Sequence, residues 1–227
     1  MSLTRRDFSA GLVGTGVAGL LATPPAAAQS GPVENVHYIR LAQPAPVTAG
    51  QIEVVEFFWY ECPHCNAFEP ALEAWARRQP DDVAFRRVPV WFREEPFTAQ
   101  QRLFYALEGL GLLPTLHRRV YQAIHGERTR LRTAEDMVAF VSRNGGDGEK
   151  FMAAYNSFAV QSKGVQARQT AAAYKIDAVP AMGVHGRFYT NGTLANAGAP
   201  AGAAGSNDRM LSVVDALVAR VRKDAKS

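Results

Sequence analysis

Two cysteines three positions apart, Cys62 and Cys65, are the only cysteines in the chain. Thiols at this spacing can reach each other, form a disulfide and exchange it with an outside thiol. They follow an apolar run, residues 54–60, and precede a run with helical periodicity, residues 66–79. The pattern therefore predicts redox chemistry at the junction of a strand and a helix.

Other uses of the two cysteines are poorer fits. A structural disulfide across two intervening residues closes a very small loop and constrains little of the chain. A four-cysteine zinc site needs two more cysteines, and histidines with finger-like spacing are absent from the sequence.

The turn from strand to helix predicts a reactive thiolate at Cys62. The free N–H groups and the positive end of the helix dipole favour negative charge at a helix N-terminus. Pro63 suits the first helical turn, where its missing N–H costs nothing, and His64 can add positive charge or a hydrogen bond near the sulfur. Cys62 is then the exposed attacking thiol, and Cys65, one turn inside the helix, is its less exposed partner.

Composition limits the possible functions. The 227 residues are 47% hydrophobic, so the chain can form a sizeable core. The net charge of +4 comes from charges of mixed sign, without a basic stripe that contains aromatic residues, so nucleic-acid binding is not predicted. No run approaches the roughly 18 apolar residues that a membrane-spanning helix needs.

Residues 1–28 have the pattern of an export signal. Arg5 and Arg6 precede a mild apolar stretch, residues 10–22, and Ala26 to Ala28 form a cleavage pattern. The paired arginines predict the twin-arginine route, although Ser9 and Ala10 depart from its fuller pattern and leave the general secretion route open. An uncleaved anchor is the alternative. Export would place the mature chain, from Gln29 on, in the periplasm, where a disulfide can persist.

Hydrophobic periodicity predicts an α/β fold with a helical insertion. The predicted strands are residues 36–41, 52–59, 83–90, 181–184 and 187–189. The predicted helices are residues 66–79, 98–112, 115–125, 133–144, 149–158, 160–174 and 208–222. Residues 52–59 are almost continuously apolar, as is typical of a central strand that is covered on both faces. The Gly- and Ala-rich residues 191–206 are predicted to form a mobile loop.

The chain resembles the DsbA family of thiol oxidases within the thioredoxin superfamily. The resemblance depends on Glu56-Phe57-Phe58, Cys62-Pro63-His64-Cys65, Phe68-Glu69 and Val179-Pro180-Ala181-Met182. It spans residues 36–221. It implies a thioredoxin-like mixed sheet formed by residues 29–97 and 160–227, with residues 98–159 as an inserted helical subdomain.

The resemblance also assigns roles beyond the cysteines. The sequence alone favours a trans bond before Pro180, whereas the resemblance implies a cis Val179–Pro180 bond beside the cysteines, where the Val179 backbone pairs with an extended substrate.

Glu56 resembles a buried acid that relays protons for Cys65, and a solvated edge glutamate is the alternative. Glu69 is a weaker candidate for local electrostatics. Arg86 and Arg87 are both possible partners of Glu56, while His37, His117, His125 and His185 are predicted to be structural or surface residues.

The predicted function is therefore an exported, monomeric thiol:disulfide oxidoreductase without a cofactor or metal, which introduces disulfides into periplasmic proteins through Cys62. The resemblance implies reoxidation by a membrane oxidase of the DsbB type. A disulfide isomerase or reductase is the nearest alternative, although isomerases of this group usually carry threonine where this chain has Val179. A chaperone-like binding module and a metal carrier that uses the two thiols are alternatives of other classes.

Overall fold

Strand β2 (Ile52–Phe58) lies inside the sheet, and all seven of its residues are buried. The structure is a computed structural model that describes residues 31–91, 97–200 and 202–225. Successive side chains of a strand point to opposite faces, and accordingly Val54 packs into one hydrophobic core while Val55 packs into another. The predicted central strand with two covered faces is confirmed.

The described strands form one mixed sheet in the order β1-β5-β4-β2-β3. The other strands are β1 (Ile39–Arg40), β3 (Val83–Pro89), β4 (Ala181–Val184) and β5 (Phe188–Asn191). Strand β3 runs parallel to β2, whereas β4 pairs with β2 antiparallel, β5 with β4 and β1 with β5. The predicted α/β fold with a mixed sheet is confirmed.

Eight α-helices and a π-helical turn are described. The helices are α1 (Pro63–Ala76), α2 (Phe97–Gly109), α3 (Leu113–Tyr121), α4 (Ala134–Arg143), α5 (Gly148–Tyr155), α6 (Phe158–Ala173), α7 (Gly192–Ala195) and α8 (Ser206–Asp224). The π-helical turn, Gln122–Gly126, directly follows α3. None of the helices in the described part of the chain is long and apolar enough to cross a membrane.

The helices cover the two faces of the sheet unequally. Helices α2 to α6, called here the helical segment, lie between β3 and β4 in the chain and share a core with Val55 and Phe57. Helices α1 and α8 share the other core with Val54. The helical insertion between the strands is present, and its predicted limits, residues 98–159, remain a prediction. The predicted export signal, residues 1–28, lies outside the described residues.

The first strand is shorter than its alternating pattern predicts. Only Ile39 and Arg40 pair with β5, whereas residues 36–41 were expected to be extended. The chain turns before them: the His37 N–H donates to the Val33 carbonyl, and Asn35 has a φ of 62°. Local hydrogen bonds thus replace sheet pairing over half of the predicted strand.

The expectation of a loop over residues 191–206 is wrong in its first part. Asn191 belongs to β5, and its side-chain oxygen accepts the Leu194 N–H, so that it caps α7. Further along, the Arg209 guanidinium donates to the Asn196 side chain and to the Ala203 and Ala204 carbonyls. Asparagine is a strongly preferred helix cap, and this local signal outweighs the glycine content.

We predict that Gly183→Ala lowers the free energy of unfolding by about 1–3 kcal/mol, because overpacking a filled core has costs of this order. A Cβ atom at Gly183 in β4 would lie 2.3 Å from the Tyr174 ring. That ring is fully buried, and its hydroxyl accepts the Gly186 N–H. Urea unfolding of the variant measures the loss. The matched control is Gly192→Ala, where an added Cβ meets nothing within 4 Å, and an equal loss in both variants would contradict the prediction.

Candidate active site

Cys62 is the N-cap residue of α1. Its backbone is extended, with φ −79° and ψ 115°, and its sulfur accepts the Cys65 N–H at 3.4 Å. Pro63 follows at the first helical position, where a free N–H has no partner inside the helix. The predicted placement of Cys62 at a helix N-terminus is confirmed.

The two thiols have pKa values shifted in opposite directions. A hydrogen bond from the Cys65 thiol, assisted by the backbone N–H groups of Cys65 and His64 and by the His64 charge, outweighs burial and lowers the pKa of Cys62 to about 6. Burial, followed by the hydrogen bond to Cys62 and its charge, raises the pKa of Cys65 well above its usual value. At neutral pH the pair therefore carries its negative charge on Cys62.

Cys62 is less exposed than expected. It retains 7% of its accessible surface and Cys65 retains none, so Cys62 is the more accessible thiol but is itself buried. The segment that precedes β4 contributes to the burial of Cys62, because the Cys62 sulfur lies 3.5 Å from the Val179 carbonyl oxygen. The prediction of an openly exposed attacking thiol is wrong for this dithiol form.

The peptide bond between Val179 and Pro180 is cis, which confirms the conformation that the resemblance implied. Pro180 immediately precedes β4, the neighbour of β2 in the sheet. A cavity of about 400 Å³ adjoins this bond. Its lining includes His64, Ala67, Val179, Pro180, Asn207 and Met210. The structure thus places Val179 both at this cavity and in contact with the Cys62 sulfur.

Glu56 lies in β2 with no exposed surface and pairs with Arg87, whose Nε is 3.1 Å from Glu56 Oε2. The parallel register places these two residues opposite each other on β2 and β3. The same guanidinium contacts the Glu69 carboxylate on α1. Arg86, the other possible partner of Glu56, pairs with Glu53 instead. Glu56 is therefore a buried acid, and the alternative of a solvated edge residue is wrong.

His117 and Tyr60 complete this buried cluster, and no motif in the sequence predicts their contact. Of the predicted structural and surface places for His117, the structural one is found: it is buried, with Nε2 3.4 Å from Glu69 Oε1 and Nδ1 2.8 Å from the Tyr60 hydroxyl oxygen. A carboxylate only accepts hydrogen bonds, so the neutral tautomer that fits both contacts carries its hydrogen on Nε2, beside Glu69, and accepts the Tyr60 O–H at Nδ1. Tyr60 and His117 are 57 positions apart in the sequence, and no local pattern links them.

The two carboxyl groups of the cluster share one guanidinium, and their pKa values move apart. Burial, together with the nearby Glu69 charge, raises the pKa of Glu56 to about 8. Burial also tends to raise the pKa of Glu69, but the contact with His117 Nε2 and the charge of Arg87 outweigh it and lower the pKa of Glu69. Burial also lowers the pKa of His117. At neutral pH Glu69 is ionised and Glu56 holds a proton.

A mixed sheet that carries a Cys-x-x-Cys pair at a helix N-terminus, with a cis-proline beside the pair, defines a thioredoxin-like thiol:disulfide oxidoreductase. The profile of the DSBA-like thioredoxin domain matches residues 53–197. The chain therefore belongs to the DsbA family of thiol:disulfide oxidoreductases.

Curated relatives and solved structures agree with this assignment. The thiol:disulfide interchange protein DsbA of Burkholderia cepacia is 40% identical over 179 residues, which cover 79% of this chain and 83% of the relative. The DsbA of Pseudomonas aeruginosa strain PAO1 is 38% identical over 190 residues, or 83% and 85% of the two chains. The crystal structure of Pseudomonas aeruginosa DsbA superposes with a TM-score of 0.79 at 36% identity, covering 86% of this chain and 97% of that one.

We predict that Cys65→Ala raises the pKa of Cys62 by about one unit, because it removes the hydrogen bond that stabilises the thiolate most. Cys65→Ser, which retains a hydroxyl donor, should raise it less. Thiolate absorbance at 240 nm, followed against pH, measures both values. A Cys62 pKa that falls in Cys65→Ala would contradict the assignment of this hydrogen bond.

We predict that Glu56→Gln stabilises the reduced protein by about 2 kcal/mol or more at pH 8, and by much less at pH 5. The folded protein holds the Glu56 proton up to a pKa of about 8, whereas the unfolded chain releases it near its ordinary value. The wild type therefore binds more protons folded than unfolded and loses stability as the pH rises between these values. Urea unfolding at both pH values, with dithiothreitol present, measures the difference. An equal gain at pH 5 and pH 8 would contradict the prediction.

Proposed function

We propose that this protein is a periplasmic disulfide oxidase that donates a Cys62–Cys65 disulfide to exported proteins. The observation that carries the proposal is the position of Cys62 as the N-cap of α1, where its sulfur accepts the Cys65 N–H and where these surroundings lower its pKa to about 6. Stabilising the thiolate stabilises the dithiol form over the disulfide, at about 1.4 kcal/mol for each pKa unit. A disulfide of this kind is a strong oxidant. DsbA is a known example, because the stabilised thiolate of its reduced form makes its disulfide strongly oxidising.

The exchange takes place in two steps. A substrate thiolate attacks the Cys62 sulfur of the enzyme disulfide, the bond between Cys62 and Cys65 breaks, and Cys65 leaves with the electron pair. A second substrate thiolate then attacks the substrate sulfur of the mixed disulfide and expels the Cys62 thiolate. The substrate loses two electrons and gains a disulfide, and the enzyme becomes a dithiol. Cys62 is a good leaving group in the second step because its pKa is low.

Glu56 supplies the proton that Cys65 needs. The Cys65 thiolate has a raised pKa and takes up a proton when it leaves. Glu56 is buried in β2, the strand that leads to the cysteine turn, and it holds a proton at neutral pH, since its own pKa is about 8. During reoxidation the transfer runs in reverse, and Glu56 receives the proton of Cys65. His64 contributes its N–H and charge to the Cys62 thiolate, and Pro63 leaves the first turn free of a competing donor.

Val179 and Pro180 form the substrate-binding edge. The Val179 carbonyl oxygen lies 3.5 Å from the Cys62 sulfur, at the cavity beside the cis bond. An extended substrate can pair with the Val179 backbone by strand addition, with its cysteine directed at Cys62. In this arrangement main-chain bonds supply affinity for many sequences, as a general oxidase requires.

The family and the signal pattern support the proposed partners and location. The protein acts as a monomer in the periplasm on thiols of newly exported proteins, and a membrane oxidase of the DsbB type restores its disulfide. The arginine pair and cleavage pattern of residues 1–28 support the export step. Membership of the family supports the use of protein thiols as substrates.

We predict that Cys65→Ser traps many different exported proteins on Cys62 in periplasmic extracts. Without Cys65, the resolving step of the reverse exchange is absent and the mixed disulfide persists. Non-reducing electrophoresis followed by mass spectrometry identifies the adducts, with Cys62→Ser as the matched control. A single adduct would indicate a dedicated partner, and an absence of adducts would contradict the redox function.

Equilibration with glutathione distinguishes an oxidase from the isomerase and reductase alternatives. We expect a reduction potential well above that of thioredoxin, about −270 mV, because the Cys62 thiolate is stabilised. A potential at or below that of thioredoxin would favour a reductase.

A further inference from the structure

The two residues that precede the nucleophile are held by side chains of the helical segment and of the loop before α4. His125, in the π-helical turn, lies with Nε2 2.8 Å from the Tyr60 carbonyl oxygen. Gln100 of α2 donates to Glu61 Oε1 at 3.0 Å. Arg132, in the loop before α4, donates to both Glu61 oxygens, at 2.7 and 2.6 Å. The position of Cys62 is thus tied to elements distant in the sequence.

The contact between Arg132 and Glu61 has the geometry of a strong ion pair. Two N–H groups of the guanidinium meet the two carboxylate oxygens, which is the forked arrangement that gives such pairs their directionality. The Glu61 side chain is only 14% exposed, and the Arg132 side chain is 28% exposed. Gln100 also donates to the Arg130 carbonyl at 2.9 Å, so it ties the loop that carries Arg132 to the same carboxylate.

Glu61, which carries a negative charge, immediately precedes Cys62 in the sequence. An unpaired carboxylate beside a thiol disfavours the thiolate, because like charges repel. The hydrogen bonds and charge of Glu61 in turn raise the pKa of Arg132, so Arg132 remains charged at any working pH. With Arg132 in place, the pair presents almost no net charge to Cys62.

We propose that Arg132 is a positioning residue for the nucleophile, which fixes Glu61 and cancels its charge so that the Cys62 thiolate remains favoured. This inference rests on the dithiol chemistry proposed above and assigns part of its control to the loop before α4. Arg132 does not touch the reacting sulfur. It acts through Glu61, and its contribution is measured by what happens to Cys62 when either member of the pair is neutralised.

A double-mutant cycle tests the proposal. Arg132→Gln leaves the Glu61 carboxylate unpaired and should raise the pKa of Cys62 by about 0.5–1 unit, which weakens the enzyme as an oxidant of glutathione by about 3–10-fold. Glu61→Gln removes the carboxylate that immediately precedes Cys62 and should shift both quantities in the opposite direction. The double variant has neither charge and should return close to the wild-type values. Thiolate absorbance against pH and equilibration with glutathione measure the two quantities.

The controls separate charge from structure. Arg143→Gln removes an exposed arginine at the far end of α4 and should leave both quantities unchanged. Arg132→Lys keeps the charge without the fork and should stay near the wild type. A shift in Arg132→Gln that persists in the double variant would show a purely structural role and overturn the proposal, as would a shift no larger than that of Arg143→Gln.

Two further outcomes keep the test decisive. If Arg132→Gln does not fold, Glu61→Gln alone decides the matter, because a rise in its Cys62 pKa would overturn the proposal. If the wild type itself has an ordinary thiol pKa and a low reduction potential, the proposed oxidase function fails. A strongly oxidising wild type that shows no coupling between Glu61 and Arg132 would refute the role of Arg132 alone.

Discussion

The structure depends on the placement of one sulfur atom where a helix begins. Cys62 caps α1, and its thiolate is stabilised by the Cys65 thiol, by backbone N–H groups and by the charge of His64. A fully buried strand, β2, leads into this turn, and the first turn of α1 carries the second thiol. The hydrophobic cores on the two faces of the sheet thus fix the position of β2 and α1, and with them the position of the Cys62 thiolate.

Beneath that charge lies a second electrostatic constraint. Glu56 and Glu69 share Arg87 in a buried site, and two carboxylates with one guanidinium cannot both be ionised at low cost. His117 resolves the conflict because its Nδ1 contacts the Tyr60 hydroxyl while its Nε2 lies beside Glu69. At neutral pH Glu56 therefore keeps its proton while Glu69 is ionised.

Much of this site was predictable from short patterns. The cysteine spacing, Pro63 and the apolar run before them predict the strand, the turn and the helix, and Val179-Pro180 indicates the opposite wall through family resemblance. Residues that act across long sequence distances carry no such pattern. His117 and Arg132 are ordinary members of helical and basic stretches, and only the packing of the helical segment brings them to Glu69 and Glu61. The choice of Arg87 over Arg86 required the strand register.

The register of β2 and β3 has a consequence for folding fidelity. In the native pairing Glu56 lies opposite Arg87. A slip of one residue would place Arg86 or Val88 there and reverse which face of the sheet each β3 side chain occupies. The cluster would then lose the Arg87 guanidinium, and the ionised Glu69 would remain as an uncompensated buried charge, which is costly. The contacts of Arg87 with Glu56 and Glu69 thus also favour the correct alignment of the two strands.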